Sequence, residues 1–222
     1  MALELNSSPL EVAPQLLGAT VRANGVSIRI TEVEAYLGAA DPASHAFKGE
    51  TARNGTMFGA PGAIYVYFTY GMHYCMNIVC WPAGRAGGCL VRAGEVIEGE
   101  ELARERRPAV VRSRDLARGP ANLTRCLAIN REWDGAALCV DGVRLKDGEE
   151  FVAVNTHEPE PLIQTGPRVG VSGIGGDGQL YPWRFWIPGD PTVSAYKRGG
   201  GSRTKHGQAT KVTARDQRLN PQ

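Results

Sequence analysis

The sequence predicts one domain of short strands and turns with a few helices, not a helix bundle. Three observations carry this expectation. The chain has 222 residues, enough to bury a full core as one domain. Its 28 glycines exceed the usual share and come with 14 prolines, so turns are frequent. Between those turns, β-branched and aromatic residues recur in alternating runs.

The elements follow in order. Residues 26–36 are rich in Val, Ile and Thr and read as a strand. Strict alternation places Ile28, Ile30, Glu32, Glu34 and Tyr36 on one face. Asp41-Pro42 reads as a helix start, Asp capping and Pro in the first turn. Residues 48–62 are punctuated by Gly49, Asn54-Gly55 and Pro61-Gly62 and read as loop. Residues 64–70 form the clearest strand, with Tyr65, Tyr67 and Thr69 on one face. A second strand over 74–80 completes a hairpin with Gly71 near its tip and Tyr70 beside it. Residues 89–92 read as a strand ending near Arg92. Residues 95–107, acidic early and basic late, read as a helix, and 120–129 as a second, shorter one. Short strands are expected over 140–143 and 151–154. A Gly-rich run over 166–178 leads to a last aromatic strand at 183–187.

Several classes are excluded. No apolar run reaches a membrane span of roughly 18 residues, and the first residues lack the pattern of a signal peptide. The five cysteines are odd in number and form no C-x-x-C pair. Neither a disulfide framework nor a structural zinc site is expected, and a reducing compartment fits better. The formal charge of +2 hides an asymmetry. From Lys197 onward seven bases (Lys197, Arg198, Arg203, Lys205, Lys211, Arg215, Arg218) face one acid, Asp216, a tail of +6 on a body of −4. Residues 197–222 therefore read as a basic tail, either a solvated terminus or an arm for phosphates, attached to a domain over 1–196.

Two motifs bear on chemistry. Gly173, Gly175 and Gly178 spell G-x-G-x-x-G, but Leu180-Tyr181-Pro182 follows, not a helix, so a dinucleotide site is not expected. The stronger constellation is Glu32, Glu34, Tyr36, His45, the Tyr65/Tyr67/Tyr70 hairpin and Asn77. A carboxylate on an apolar strand can serve as a general base toward water. Tyr and His rings offer flat faces to an aromatic ligand such as a nucleobase. Each residue alone also has an ordinary structural role. Spacing by itself indicates an aromatic-lined pocket with an acid–base glutamate.

Motifs across most of the chain add more. Glu34-Ala35-Tyr36-Leu37-Gly38 is followed by Arg53-Asn54 with Met57-Phe58. Pro61-Gly62 with Tyr65-Val66-Tyr67, and Tyr70-Gly71-Met72 with Cys75-Met76-Asn77, come next. Leu90-Val91-Arg92-Ala93, Gly119-Pro120-Ala121-Asn122-Leu123, Leu127-Ala128-Ile129-Asn130, Arg168-Val169-Gly170-Val171, Arg184-Phe185 and Val193-Ser194 complete the series. In order and spacing, residues 10–196 resemble the alkyladenine (3-methyladenine) DNA glycosylase family of mammals and many bacteria.

That resemblance implies a compact α+β domain with a curved, mainly antiparallel sheet, surrounding helices and a protruding hairpin that intercalates into DNA. It implies a monofunctional base-excision enzyme, monomeric and cytoplasmic (nucleoid-associated in a bacterium). No metal or organic cofactor is expected. The partner is double-stranded DNA carrying damaged purines, and no membrane is involved. Glu34 falls on the catalytic glutamate, and Arg92 and the Val169 carbonyl on the groups that hold its water. The flipped base would stack between Tyr36 and the His45/Tyr67 pair, with backbone near Ala43 and His45 on its edge. Asn77 would exclude the exocyclic amino group of guanine. Tyr70 matches the intercalating wedge. Met72, His73, Lys197 and Arg198 are candidates for minor-groove or phosphate contacts. His73 departs from the pattern, since some relatives carry Tyr there. The rivals are a non-catalytic lesion-binding protein and a hydrolase of RNA or free nucleotides.

Overall fold

The structure is a computed structural model that describes residues 3–69, 71–145, 151–156 and 162–200. The N-terminal helix α1 (Pro9–Leu16) was not expected from apolar periodicity. It is started by a capping box: Ser8 accepts from the Leu10 amide, and the Glu11 carboxylate accepts from the Ser8 amide at 2.9 Å. Val12, Ala13 and Leu16 are its buried face. Strands β1 (Thr20–Ala23) and β2 (Val26–Tyr36) pair antiparallel across Asn24-Gly25, both at positive φ, the hairpin turn that matches strand twist.

Strand β2 has the predicted bounds but not the predicted faces. Ile28 and Ile30 enter the main core, and then Val33 and Ala35 do. The apolar side chains thus move from even to odd positions. The cause is an irregularity in pairing with the neighbouring strand: Ile30 is opposite Gly94, Glu32 opposite Ala93, and Val33 opposite Val91. Thr31 and Arg92 are the extra residues, and each extra residue reverses alternation. Glu34 and Tyr36 therefore face away from the side that takes Ile28 and Ile30.

The predicted helix after Asp41-Pro42 is replaced by turns. Asp41 does accept the Ala43 amide, at 3.0 Å, but its carboxylate is also held by Arg168, and no helix propagates. Strands β3 (Ile64–Thr69) and β4 (His73–Val79) pair antiparallel from Ile64/Ile78 to Thr69/His73. Tyr70, the expected wedge, lies outside the described residues. Strand β5 (Gly88–Glu98) runs well past Arg92. Residues 95–98, expected to be helical, pair instead with 27–29 of β2, and Arg29 bonds Glu95 at 3.1 Å. Gly99, left-handed at φ 72°, then turns the chain into α2 (Glu100–Arg106).

Helix α3 (Pro120–Cys126) packs Leu123 into the core. Strands β6 (Ala137–Val140) and β7 (Val143–Arg144) flank Asp141-Gly142, which is their turn and not the middle of one strand as expected. Strand β8 (Phe151–Asn155) lies parallel to β6 and antiparallel to β1. Strands β9 (Gln164–Gly166) and β10 (Arg184–Trp186) pair antiparallel, and β10 continues onto residues 32–34 of β2.

The result is one mixed, open, mostly antiparallel sheet in the order β3-β4-β5-β2-β1-β8-β6-β7, with β10 and β9 branching from β2. The bulge explains the branching: β1 occupies the edge of β2 before it and β10 the same edge after it. The main core gathers Leu16, Ile28, Ile30, Val33, Met76, Val91 and Leu123 on one side of these strands. A smaller cluster of Ala46, Met57, Ala63, Tyr65, Val79 and Ala86 supports the opposite side. No helix among the described residues is long and apolar enough to cross a membrane.

Candidate active site

The residues left on the far side of the bulge line a cavity of about 600 Å³, within the size range of small-ligand pockets. Its floor is set by strand register. Tyr65 pairs with Asn77, Asn77 with Leu90, and Leu90 with Glu34, one row across β3, β4, β5 and β2. All four line the cavity. Tyr36, Tyr67, Cys75 and Arg92 come from neighbouring positions on the same strands, and Ala43, His45 and Val169 from two loops.

Two carboxylates on β2 have different surroundings. Glu32 is fully buried and outside the cavity lining. It accepts from Arg184 Nε at 2.6 Å, Arg92 Nε at 3.1 Å, and the amide and hydroxyl of Ser194 at 2.9 Å each. Such saturation marks a structural anchor. Glu34 is equally buried but lines the cavity. Its Oε1 accepts the Val169 amide at 2.7 Å and lies 3.3 Å from Arg92 Nη1, and its Oε2 accepts the Tyr36 hydroxyl at 2.9 Å. Burial pulls the Arg92 pKa down, but the Glu34 and Glu32 charges more than offset this and raise it, so the guanidinium stays charged.

The rings are held in fixed protonation states. Burial, followed by the Glu34 charge, raises the Tyr36 pKa well above its ordinary value. The phenol thus remains a donor. Burial and then Arg53 lower His45, which stays neutral through physiological pH. His45 stands edge-on to Tyr67, centroids 4.6 Å apart, and its Nδ1 is 3.1 Å from the Tyr65 hydroxyl. Burial pushes the Cys75 thiol to about 11, so it is no thiolate nucleophile at neutral pH. Among the described residues no group of His, Cys, Asp and Glu could hold a metal ion.

Residues 4–191 match the family model described as Methylpurine-DNA glycosylase (MPG). The chain belongs to the methylpurine-DNA glycosylase family. It is 51% identical over 192 residues, 85% of this chain and 87% of the relative, to a Streptomyces avermitilis protein named "Putative 3-methyladenine DNA glycosylase". Proteins of the same name from Leifsonia xyli subsp. xyli (51% over 201 residues, 86% and 90% of the two chains) and Nocardia farcinica (46% over 202, 88% and 90%) are also similar. The protein is thus a DNA glycosylase, a DNA-binding hydrolase of base-excision repair.

Of the expected site residues, this glycosylase gathers Glu34, Arg92, Val169, Tyr36, Ala43, His45, Tyr67, Asn77, His73 and Lys197 around one cavity. Met72, 70% exposed, and Arg198 lie outside its lining. Val169 meets Glu34 through its amide. The Ala43 amide is committed to Asp41, and the His45 carbonyl accepts from Asn54 Nδ2 at 2.9 Å. The Lys197 carbonyl accepts from the Gly170 amide at 2.7 Å, tying the first residue of the expected tail to the cavity loop.

The glycosylase also uses residues to which the sequence assigned no role. Arg168 is fully buried in an ion pair with Asp41 at 2.6 Å, its guanidinium 4.5 Å from the Tyr36 ring centroid. Asn54 pins the His45 loop through both His45 and Gly49 carbonyls. Both belong to matched motifs, but a lone Arg in a Gly-rich run carries no periodic signal, and Asn54 beside Gly55 reads locally as a turn former.

Proposed function

We propose that this glycosylase rotates an alkylated or deaminated purine out of duplex DNA and hydrolyses its N-glycosidic bond with a water activated by Glu34, leaving an abasic site. The substrate class is that of 3-methyladenine, hypoxanthine and ethenoadenine. The relatives' name supports the first of these. The observation that carries the mechanism is the bonding of Glu34. A carboxylate has about four acceptor sites. Val169 and Arg92 engage Oε1, and Tyr36 takes one site of Oε2. One site on Oε2 is left beside the cavity for the O–H of a water.

Attack of that water at C1′ breaks the bond to the base. Positive charge develops on the sugar, and the buried Glu34 carboxylate stabilises it as well as taking the proton. Arg92 and Val169 hold the carboxylate in orientation. A purine alkylated at N3 or N7, already cationic, is a good leaving group, whereas neutral hypoxanthine or ethenoadenine takes up a proton from solvent as it departs. Flipping costs a few kcal/mol, least for a damaged or mispaired base, and Tyr70 is assigned to fill the gap left in the duplex. The extruded purine stacks on Tyr36 opposite His45 and Tyr67. Its edge meets the backbone groups of residues 43–45 left over by Asp41 and Asn54, and Asn77 disfavours an exocyclic 2-amino group.

The reading is tested with a panel of duplexes, each carrying one lesion, read by strand cleavage at the abasic site. Release of 3-methyladenine or hypoxanthine from duplex DNA but not from free nucleosides is expected. Failure to release any damaged purine from duplex DNA contradicts it.

A further inference from the structure

Arg168 has no exposed surface and is the largest fully buried side chain among the described residues. One Nη donates to the Ala35 carbonyl at 3.0 Å and to Asp41 at 2.6 Å; the other donates to Asp41 and to the Gly175 carbonyl at 2.8 Å each. Its Nε is buried without a hydrogen-bond partner. Three aromatic rings surround the guanidinium: Tyr36 at 4.5 Å, Trp183 at 5.4 Å and Tyr181 at 6.0 Å. Arg168 is absent from the cavity lining, while Tyr36 is part of it. The cation therefore sits behind the Tyr36 ring, on the face turned away from the base pocket.

That placement has an electrostatic consequence. An aromatic face attracts cations through its negative quadrupole potential. A guanidinium on the back face opposes that attraction for a second cation on the front face. Purines alkylated at N3 or N7 are cationic, whereas hypoxanthine and ethenoadenine are neutral. We propose that Arg168 is a positioning and specificity-determining residue that acts through Tyr36. It locks the ring as a platform, and its charge lowers the advantage that a cationic purine would otherwise have in stacking there. Asp41 sets the strength of this effect, since its carboxylate partly neutralises the guanidinium.

This inference rests on the base-stacking reading of Tyr36 and is tested by a ratio that cancels losses of active protein. The kcat/KM for 3-methyladenine (cationic in DNA, without a 2-amino group) is divided by that for hypoxanthine (neutral), both in duplex DNA. Arg168→Met, which keeps an unbranched apolar stem but removes the charge, should raise the ratio about threefold or more. Arg168→Lys should leave it near the wild-type value. Asp41→Asn, nearly isosteric, leaves the cation less compensated and should lower the ratio. If Arg168→Met does not fold, Asp41→Asn decides alone. A ratio that is unchanged in the folded variants, or that moves the opposite way, reduces Arg168 to a scaffold residue. Wild-type enzyme that excises neither base overturns the proposed substrate class instead, so the two failures are distinct.

Discussion

Glu34 and Arg92 stand on adjacent strands with Oε1 and Nη1 3.3 Å apart, and the same guanidinium reaches Glu32 at 3.1 Å. Arg92 thus neutralises a catalytic candidate and a structural anchor together. Arg184 is a second cation for Glu32, but Glu34 has no other within ion-pairing distance among the described residues. Replacing Arg92 by Gln leaves a buried charge uncompensated, which costs about 3–5 kcal/mol. Thermal denaturation should show a fall of roughly 10 °C or more for a chain of this size. Activity should fall with it. A melting temperature unchanged from wild type contradicts the role of Arg92 as counter-ion.

His45 gives a signed pH dependence. Its pKa is lowered from 6.5 by burial and then by Arg53. At and below pH 6.5 the unfolded chain binds protons that the folded protein does not, until the folded pKa is passed. The stability linked to neutral His45 is complete above pH 6.5 and is lost as pH falls through the folded value. Urea unfolding of His45→Gln should therefore show a flatter pH dependence than wild type from about pH 6.5 to pH 5. Equal slopes sink this assignment.

Asn77 is fixed by donation from Nδ2 to the Tyr65 carbonyl at 3.2 Å, so it presents a rigid group to the cavity. Asn77→Ser should raise excision of purines bearing a 2-amino group, relative to hypoxanthine, several-fold. Competition between 7-methylguanine and hypoxanthine duplexes measures the change, and an unaltered preference removes Asn77 as the discriminating group.

The basic tail is best tested by truncation after Gly200, because the Lys197 carbonyl is bonded to the Gly170 amide of the cavity loop. Five bases and one acid are removed with residues 201–222. If the tail binds phosphates, the slope of log Kd against log salt becomes shallower by about 0.9 for each phosphate no longer neutralised. An unchanged slope returns the tail to a solvated terminus.

Much of the fold was legible because β2, β3, β4 and α3 are locally consistent: branched residues, alternating tyrosines and a Gly-Pro helix start. The faces of β2 were not, because the bulge at Thr31 and Arg92 arises from pairing between strands far apart in sequence. Residues 95–98 hold the β-branched pair Val96-Ile97 as a strand can, but the charge order over 95–107, acidic before basic, imitates a single helix across Gly99. Helix α1 has a capping box at Ser8 and Glu11, yet Pro14 within it obscures the pattern. In the site, Glu34 and Tyr36 stood out through the family resemblance. The role of Arg168 depends on Asp41, 127 positions away, and on a ring stacked by tertiary contact.

The central claim is that Glu34 activates the water that releases the base. Glu34→Gln is nearly isosteric and keeps a carbonyl oxygen to accept the Val169 amide, but it loses the charge and the basicity. Single-turnover excision from a hypoxanthine or alkylated-purine duplex should fall by about 10³-fold or more, while affinity for the same duplex stays within about threefold, since the stacking walls are untouched. Excision within about tenfold of wild type, with binding intact, contradicts Glu34 as the base.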